Sequence, residues 1–384
     1  MPQTIAARRL ITRTETIDYP VLQIENGVIA AIDSDPSSGA ADTTLTPTFF
    51  DIHTHGAANH DVMEATPDAL CTVSRFLATR GVGHYLPTTV TAPVDQTLRS
   101  LEGLANAIEA SSTDNEAQPI GIHLEGPFIS HAKRGVHPTA DIQPPSIALF
   151  DLFQQAARGH IRLITIAPEV PGAMELIAHA TALGVRVSVG HTNATAHDAQ
   201  SAVAAGAASA THTFNAMRSL DHREPGVAGT VLDTESLFAE LICDGIHVAP
   251  ELVRLWLKAK GERGILVTDS ISATGMPDGT YTLGTFKVKV ADGRALAADD
   301  LAHGKSTLAG SVLTLDRAVA NLQRFTGASL ATATRMASQS PAEMMGVTDK
   351  VANIAVGQPA NLNVFNAAGD LTRTILNGVE VKTD

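Results

Sequence analysis

Short apolar segments alternate with longer amphipathic segments through the middle of the chain, and this alternation constrains the fold more than any other feature. Apolar runs between turn residues predict buried strands, and apolar residues recurring every three or four positions predict helices. The predicted strands cover residues 48–52, 84–90, 120–125, 161–167, 185–190, 208–213, 238–243 and 264–268. The predicted helices cover residues 67–80, 93–110, 146–157, 172–183, 194–205 and 250–260, with two more near 312–325 and 330–345. Eight strands with intervening helices predict an α/β fold, a (β/α)8 TIM-like barrel.

Both ends of the chain are β-rich instead. Near the start, two alternating segments at residues 16–24 and 28–32 flank Glu25-Asn26-Gly27, which is typical of a hairpin. Near the end, similar segments cover residues 360–365, 371–376 and 379–381. We therefore expect a small β-sandwich domain built from both chain ends, with domain limits at residues 1–47, 48–349 and 350–384.

Composition agrees with a large buried sheet and argues against several classes of partner. Hydrophobic residues make up 44% of the chain but aromatic residues only 4%, so aliphatic side chains supply the core. A formal net charge of −13 argues against binding to nucleic acid or to an anionic membrane. We find no signal-peptide pattern and no apolar run long enough to span a bilayer, so we expect a cytoplasmic protein. Cys71 and Cys243 lie far apart and predict no disulfide framework.

Histidines and carboxylates stand at the ends of most predicted strands. The carboxyl ends of barrel strands meet at one rim, where barrel enzymes carry out their chemistry. Imidazole and carboxylate groups at one rim suit Zn²⁺ or another first-row divalent ion. The sequence therefore predicts a metalloenzyme whose candidate residues are His53, His55, Glu125, His191, His212, Asp244, His247 and Asp269.

Residues 121–130, Gly-Ile-His-Leu-Glu-Gly-Pro-Phe-Ile-Ser, contain the most informative of these strand ends. His123 and Glu125 lie two positions apart in a predicted strand, so their side chains share one face. A buried imidazole and carboxylate lose hydration free energy unless a charged partner offsets that loss. We expect a metal ion to be that partner.

Each feature has a simpler interpretation when it is taken alone. The His53-x-His55 pattern is also typical of histidines packed in satisfied core pockets, and Asp269 could cap a helix. Convergence of all the strand ends on one rim is what favours metal ligands. The other histidines are expected to be solvated or structural: His60, His84, His131, His160, His179, His197, His222 and His303.

Six motifs, in order along the chain, carry a family resemblance. They are His-Thr-His-Gly at residues 53–56, His-Leu-Glu-Gly-Pro-Phe at 123–128, Gly-His-Thr-Asn-Ala at 190–194, Thr-His-Thr-Phe-Asn-Ala-Met at 211–217, Asp-Gly-Ile-His at 244–247 and Val-Thr-Asp-Ser at 267–270. This set resembles the N-acetylglucosamine-6-phosphate deacetylase family of the amidohydrolase superfamily. The resemblance implies a metal-dependent barrel with a split β-sandwich. It also implies deacetylation of N-acetyl-D-glucosamine 6-phosphate to D-glucosamine 6-phosphate and acetate.

The resemblance assigns roles to the metal-site residues. Glu125, His191 and His212 match the main metal ligands, while His53 and His55 match a pair that holds a second metal in some family members and is missing in others. One or two ions per subunit are therefore implied, with Glu125 bridging them when both are bound. Zn²⁺ is the expected metal, and Fe²⁺, Mn²⁺ and Co²⁺ are alternatives.

The resemblance also assigns catalytic and sugar-binding roles. Asp269 matches the catalytic aspartate, which takes a proton from a metal-activated water and returns it to the leaving amine. His247 matches a residue that binds the sugar or polarises the acetyl carbonyl. Val136 and His137 are further substrate-binding candidates.

The resemblance assigns phosphate recognition to a separate group of residues. Asn215, the backbone N–H of Ala216, and Arg223 match positions that hold the 6-phosphate, for which the planar guanidinium is well suited. Taken alone, Arg223 is more typical of an ordinary solvated charge, but the preceding Asn-Ala-Met favours phosphate binding. In the family this arginine can come from the neighbouring subunit, so a homodimer is implied. A further substrate-contacting loop is implied at Leu308, Ala309, Gly310 and Ser311.

Two segments depart from the usual pattern. Thr48 follows Pro47 where the superfamily usually has glycine, so we expect Thr48 to need backbone angles that glycine reaches more easily. Residues 56–60, Gly-Ala-Ala-Asn-His, replace a glycine-richer run.

Two other functions remain open from sequence. One is the same reaction on N-acetylgalactosamine 6-phosphate, because the two sugars differ at one hydroxyl stereocentre and no residue distinguishes them. The other is a non-catalytic binding module with the amidohydrolase fold. Such a module is expected to have lost ligands or the base, whereas Glu125, His191, His212 and Asp269 are all present.

Overall fold

The computed structural model describes residues 3–110 and 116–382. Its centre is a ring of parallel strands in which each strand pairs with the next along the chain. These strands, β1 to β8, are Phe49–Thr54, Val82–Thr89, Ile122–Glu125, Ile161–Ile166, Arg186–Val189, Ser209–Ala210, Phe238–Ile242 and Gly264–Val267. A two-residue strand, Gln118–Pro119, pairs beside the start of β2. The predicted (β/α)8 barrel is confirmed, although β6 is shorter than residues 208–213.

The seam between β8 and β1 is closed mainly by side chains and by single backbone contacts. Thr268 Oγ1 donates to the Asp51 carboxylate at 2.6 Å, and Thr54 Oγ1 lies 2.8 Å from Ser270 Oγ. Asp269 N–H donates to the carbonyl of His53 at 2.8 Å. Burial raises the pKa of Asp51 to about 6, although the Thr268 hydroxyl acts in the opposite direction. This seam places Asp269, which lies just after β8, directly beside the end of β1.

The described residues form eleven α-helices, most of which cover the outside of the barrel. They are Pro67–Thr79, Val94–Glu109, Ile147–Ala156, Ala173–Ala182, Ala196–Ala205, Gly226–Asp233, Pro250–Lys260, Ala298–Ala302, Leu315–Thr326, Leu330–Ala337 and Gln339–Met345, with short 3-10 turns at Val62–Glu64, His131–Lys133, Thr139–Asp141 and Gly261–Arg263. The sequence did not predict Gly226–Asp233, whose two glycines weaken helix propensity. The helix predicted near 330–345 is two helices, because the chain breaks at Ser338.

One continuous hydrophobic core fills the space between strands and helices. Its largest fully buried side chains include Trp256, Phe150 and Phe153. Trp256 packs directly over Gly264 at the start of β8, where an added Cβ would lie 2.5 Å from the indole ring. Each fully buried side chain of this size contributes roughly 1.5–3 kcal/mol to folding. The barrel therefore gives the rim residues a rigid base.

Both chain ends join in one small β-domain, as predicted. Its six-stranded sheet has the order Val379–Glu380, Leu371–Leu376, Leu362–Phe365, Thr44–Pro47, Arg9–Ile11 and Thr16–Asp18. Its three-stranded sheet contains Gln3–Ala6, Pro20–Glu25 and Val28–Ser34. The predicted strand 16–24 is wrong as one element, because Tyr19 is left-handed (φ 53°) and sends the chain from one sheet to the other.

A second small sheet lies beside the rim and was not predicted. Its antiparallel strands are Gly279–Leu283, Phe286–Ala291 and Arg294–Ala297. Leu283, Val288 and Val290 pack in one cluster with Val90 and Ile271, which follow β2 and β8. This insertion therefore covers part of the carboxyl end of the barrel.

The two departures in sequence have different structural consequences. The expectation for Thr48 is wrong, because Thr48 is not among the residues with positive φ. In the second segment, Ala58 and Asn59 do adopt left-handed angles, with φ of 51° and 69°. Their N–H groups donate to the carbonyls of Thr274 and Ser272, and these bonds hold the turn in place.

The limits of the domains at residues 1–47, 48–349 and 350–384 stay a proposal. Antiparallel pairing of Thr44–Pro47 with Leu362–Phe365 supports a small domain drawn from both ends. In the part of the chain that the structure describes, we find no helix whose length and hydropathy would let it cross a membrane.

Candidate metal centre and active site

Six ionisable side chains converge, buried, at the carboxyl ends of the barrel strands. The backbones of three of them, His191, His212 and Asp269, are left-handed, with φ of 46°, 26° and 49°. Such angles are uncommon for residues with a side chain and concentrate at functional sites. The six residues are His53 and His55 at the end of β1, Glu125 at the end of β3, and His191, His212 and Asp269 just after β5, β6 and β8.

Glu125 lies at the centre of these residues. Its Oε1 is 3.2 Å from His191 Nε2 and 3.2 Å from His212 Nε2. The same oxygen is 3.4 Å from His53 Nε2, and Oε2 is 3.3 Å from His55 Nε2. One carboxylate therefore contacts the imidazoles of all four predicted metal-ligand histidines.

The six residues form two sets of three with ligand atoms close enough to hold one ion each. We call Glu125, His191 and His212 the first ligand group. The second ligand group is His53, His55 and Asp269, in which Asp269 Oδ1 lies 3.5 Å from His53 Nε2 and 3.1 Å from His55 Nε2. The structure thus brings every sequence-predicted metal ligand, together with the predicted base, to one place.

Hydrogen bonds on the outer nitrogen fix the orientation of three of these imidazoles. Nδ1 of His55 lies 3.0 Å from the carbonyl of Thr88, and Nδ1 of His191 lies 3.1 Å from that of Lys133. Nδ1 of His53 lies 3.1 Å from the Glu240 carboxylate. Carbonyl and carboxylate oxygens only accept, so each neutral ring carries its proton on Nδ1 and directs the Nε2 lone pair inward. This is the tautomer that a metal ligand requires.

The inner nitrogens fit a cation. Nε2 of His191 and Nε2 of His212 lie only 3.1 Å apart, so without a cation or a proton their lone pairs would face each other. Nε2 of His53 is buried and has no hydrogen-bond partner among the described residues. Nitrogen and carboxylate oxygen donors in groups of three suit a divalent first-row metal. The residues present therefore fit the metal that this type of site implies.

The charges of the cluster lead to the same conclusion. Burial alone would raise the pKa values of Glu125 and Asp269, but the surrounding imidazoles, His53 first, outweigh burial and hold both pKa values well below the usual range. Burial alone would lower the pKa of His55, but hydrogen bonds to Asp269 and Glu125 raise it to about 9. Without a metal, protons on the imidazoles would therefore balance the two carboxylates, and a divalent cation can replace those protons.

Two further histidines are close to the cluster but have different roles. Nδ1 of His137 accepts from the N–H of Thr91 at 3.2 Å, so its proton lies on Nε2, which is 3.6 Å from Glu125 Oε2. His137 is thus a hydrogen-bond donor to the site. Nε2 of His123 lies 2.8 Å from Thr165 Oγ1, and Nδ1 lies 3.2 Å from the carbonyl of Ile52. The expectation that His123 also needs a metal partner is wrong, because hydroxyl and carbonyl groups satisfy both nitrogens.

A cavity of about 220 Å³ opens above the two ligand groups. Among the predicted substrate-binding residues, those that line it are Val136, His137, Asn215, Ala216, His247, Leu308 and Gly310. Nδ1 of His247 lies 2.6 Å from the Asp244 carboxylate, so Asp244 holds the ring with Nε2 free for a ligand. Hydrogen bonding to His247 lowers the pKa of Asp244 despite its burial.

Three predicted substrate-binding residues lie outside the cavity lining. Ala309 is buried in the cluster under the inserted sheet. Ser311 instead holds the backbone of Asp269 and its neighbour. Its N–H donates to the carbonyl of Asp269 at 2.7 Å, and its hydroxyl donates to the carbonyl of Thr268 at 2.6 Å. The side chain of Arg223 is exposed, outside the lining residues. Their roles in binding therefore stay predictions.

Sequence reasoning did not identify Glu240, Leu283 or Thr307. Leu283 and Thr307 line the cavity and come from the inserted sheet and the loop that follows it. Glu240 had a detectable signal, because it is the one charged residue in the otherwise apolar strand Phe238–Ile242. A carboxylate inside a predicted buried strand needs a partner.

Comparison with known proteins agrees with this arrangement. The Amidohydrolase family matches residues 44–381. The chain is 37% identical to an N-acetylgalactosamine-6-phosphate deacetylase of Escherichia coli O157:H7, over 94% of each chain. It is 36% identical to an N-acetylglucosamine-6-phosphate deacetylase of Vibrio furnissii, over 94% of this chain and 90% of the relative.

Solved structures show the same similarity. A mutant N-acetyl-D-glucosamine-6-phosphate deacetylase from Mycobacterium smegmatis, in complex with N-acetyl-D-glucosamine-6-phosphate, superposes over the full length of both chains with a TM-score of 0.92 and 33% identity. The N-acetylglucosamine-6-phosphate deacetylase of Thermotoga maritima gives a TM-score of 0.88 at 31% identity, also over both full chains. With the motifs and the shared carboxylate in place, the chain belongs to the N-acetylglucosamine-6-phosphate deacetylase family of amidohydrolases.

Proposed function

We propose that this protein hydrolyses the acetamide of N-acetyl-D-glucosamine 6-phosphate to D-glucosamine 6-phosphate and acetate. The observation that carries the proposal is the position of Glu125, which contacts all four ligand imidazoles directly beneath a cavity that Asp269 also lines. The relatives named above supply the substrate class. A binding module would have no need for an ionised base beside two complete ligand groups.

The first ligand group is proposed to hold one ion and the second ligand group another, with Glu125 shared between them. Imidazole and carboxylate donors favour Zn²⁺, with Fe²⁺, Mn²⁺ and Co²⁺ as alternatives. When bound, the metal supplies Lewis-acid polarisation of the acetyl carbonyl and a water of lowered pKa.

Asp269 is proposed to move the proton during the reaction. Its carboxylate is ionised, because its neighbours hold its pKa well below the usual range despite burial, so it can accept a proton from the attacking water. It then delivers that proton to the amide nitrogen, which must be protonated before the C–N bond breaks. The Ser311 N–H and the seam between β8 and β1 hold the Asp269 backbone, and both keep the carboxylate in place during this transfer.

His137 and His247 are proposed to orient the acetyl group and the sugar. Nε2–H of His137 faces the cavity, and burial lowers the pKa of this imidazole to about 4, so it stays a neutral donor at physiological pH. Asp244 accepts from Nδ1 of His247 and leaves Nε2 of that ring for the substrate.

Phosphate binding is proposed for Asn215, the backbone N–H of Ala216, and Arg223. The first two line the cavity. Arg223 is exposed and lies outside the lining, which favours a role across a subunit interface over a role in its own subunit. We therefore propose a homodimer in which this arginine completes the site of the other subunit.

N-Acetylgalactosamine 6-phosphate is the second candidate substrate. The observation that favours it is the 37% identity to an N-acetylgalactosamine-6-phosphate deacetylase, which is close to the 36% identity to an N-acetylglucosamine-6-phosphate deacetylase. Both sugars present the same acetamide and the same phosphate, so the mechanism above applies to either.

Acetate release from N-acetylglucosamine 6-phosphate, N-acetylgalactosamine 6-phosphate and unphosphorylated N-acetylglucosamine tests the proposal. We expect turnover of one phosphorylated sugar to fall about 10²–10⁴-fold in Asp269→Asn. Asp95→Asn, which changes an exposed aspartate paired with Arg99, is the matched control and should keep full turnover.

The results separate the alternatives. Equal turnover with and without phosphate would remove Arg223 from its proposed role. No turnover of any acetylated sugar by metal-loaded protein would contradict the proposed reaction and support a non-catalytic module. A monomer in solution that turns over the phosphorylated sugar with a low KM would contradict the shared arginine.

A further inference from the structure

Glu240 is a fully buried carboxylate at the centre of β7, directly behind the metal-binding residues. It belongs to neither ligand group and does not line the cavity. Among the described residues, its only ion-pair partner is an imidazole, that of His53. A buried carboxylate without a lysine or arginine partner is costly to maintain, so its presence needs an explanation.

One oxygen of Glu240 contacts both sides of the metal centre. Oε2 accepts from Nδ1 of His53 at 3.1 Å and from the backbone N–H of His212 at 3.2 Å. Oε1 has no hydrogen-bond partner among the described residues. Glu240 thus joins the end of β1, which carries His53 of the second ligand group, to the turn after β6, which carries His212 of the first.

His53 has carboxylates on both sides of its ring. Glu240 faces Nδ1, while Glu125 Oε1 and Asp269 Oδ1 lie 3.4 Å and 3.5 Å from Nε2. Only one ring nitrogen of a neutral imidazole carries the proton, and the other nitrogen has the lone pair that can bind metal. Without an acceptor at Nδ1, the two inner carboxylates would draw that proton to Nε2.

We propose that Glu240 is a positioning residue that holds the His53 proton on Nδ1 and thereby makes the second ligand group able to bind its ion. This inference rests on the proposed two-ion centre. His53 is the member of that centre with a charged acceptor behind it, since His55 and His191 donate to the neutral carbonyls of Thr88 and Lys133. A carboxylate behind a ligating histidine fixes its orientation and increases its basicity.

The inference assigns different consequences to the two ligand groups. Loss of the Glu240 charge should weaken the ion at the second group, because His53 is one of its three donors. Glutamine keeps a side-chain oxygen that can accept from both His53 Nδ1 and the His212 N–H, so the first group should be affected little, whereas His53 loses the negative charge that increases its basicity. Leucine removes both contacts and is expected to have the larger effect.

Metal binding, measured without substrate, tests the proposal. The samples are the wild type, Glu240→Gln and Glu240→Leu, each stripped of metal and reloaded with Zn²⁺. Titration against a chelator of known affinity gives the zinc affinities, and mass spectrometry gives the number of zinc ions bound per chain. We expect two ions in the wild type, and a second ion bound about 10–100-fold more weakly in Glu240→Gln. Circular dichroism and thermal unfolding of the stripped proteins establish that each variant is folded.

Asp61→Asn is the matched control. It removes another buried carboxylate near the barrel rim, but the Asp61 oxygens accept from the backbone N–H groups of Met63 and Gly284, not from an imidazole ring. We expect this variant to keep both ions. Combining Glu240→Gln with His53→Asn should weaken the second ion no further than His53→Asn alone, because Glu240 acts through that ring.

Several outcomes would overturn the inference. They are a single ion in the wild type, wild-type zinc affinity in Glu240→Gln, and equal weakening of both ions in Glu240→Gln. The zinc measurement is independent of acetate release. If selective loss of the second ion occurs in a protein that hydrolyses no acetylated sugar, the role of Glu240 stands and only the proposed reaction fails.

Discussion

The two ligand groups at the barrel rim have similar donors but are held in different ways. The first group comes from the ends of three separate strands, β3, β5 and β6, and each residue depends on its own turn. The second group comes from β1 and β8, the two strands that close the barrel at the seam. Its geometry depends on the seam contacts of Asp51, Thr54 and Ser270 as well as on Glu240.

This difference implies that the second ligand group is the more easily disturbed of the two. A first-group residue such as His191 is held by a local backbone angle and a carbonyl of a neighbouring loop. A second-group residue such as Asp269 is held by the N–H of Ser311 and also by its own N–H bond to the carbonyl of His53, which joins β8 to β1.

Removing the shared carboxylate should have the largest effect. Glu125→Gln removes the negative charge and replaces one of the two carboxylate oxygens that together contact all four imidazoles. We expect loss of both ions and a fall in turnover of about 10³-fold or more. Zinc analysis and an acetate-release assay check this, and a variant that retained two ions would contradict the bridging position of Glu125.

Removing one histidine from each group should separate the two ions. His55→Asn is expected to lose the second ion and keep the first, whereas His191→Asn should lose the first. The affinity for the affected ion should fall by at least about 100-fold. Chelator competition with the two variants side by side measures this, and identical zinc binding by both would mean that the cluster holds one ion.

Weakening the seam should affect stability and the second group together. Thr268→Val removes the hydroxyl that donates to the buried Asp51 carboxylate. We expect a loss of about 1–3 kcal/mol in the free energy of unfolding, with weaker zinc binding at the second group only. Denaturant unfolding and zinc titration check this.

A buried threonine far from the seam provides the control. Thr46 lies in the small β-domain, and its hydroxyl donates to the neighbouring carbonyl of Pro47. Thr46→Val should leave zinc binding at both groups unchanged. If Thr268→Val leaves zinc binding equally unchanged, the seam does not control the second group.

The smallest expected effect is on the number of protons released when metal binds at the second ligand group. In the metal-free protein, Asp269 and Glu125 raise the pKa of His55 to about 9, so His55 carries a proton at pH 7.5. Metal must displace that proton, and binding at the second group should therefore strengthen as the pH rises from 7 to 9. Calorimetry in two buffers of different ionisation enthalpy counts the protons, and His55→Asn should release fewer.

Much of the fold and the site could be predicted from local sequence patterns. Strand and helix periodicity located the barrel, and His53, His55, Glu125, His191, His212 and Asp269 stood out as polar residues at apolar strand ends. The inserted sheet at residues 279–297 was missed, because its short strands follow β8 where the barrel pattern has already ended. The split at Ser338 was missed for a similar reason, since helical periodicity continues across it.

Positions within the site were harder to predict because they depend on contacts between distant parts of the chain. His123 and His137 resemble each other in sequence, yet one is enclosed by Thr165 and Ile52 and the other donates into the site. Arg223 matched a phosphate-binding position, but its exposed side chain does not line the cavity. No local pattern contains this information.

The sequence by itself determined the barrel, the residues available at its rim and the family to which the chain belongs. Those properties follow from periodicity and motif order, which are local along the chain. Only the tertiary structure decided which nitrogen of each imidazole faces the centre, because that depends on acceptors such as Glu240, Thr88 and Lys133 contributed by other strands and loops. Burial enforces these ring orientations, because an unsatisfied donor or acceptor in the barrel interior costs free energy of folding.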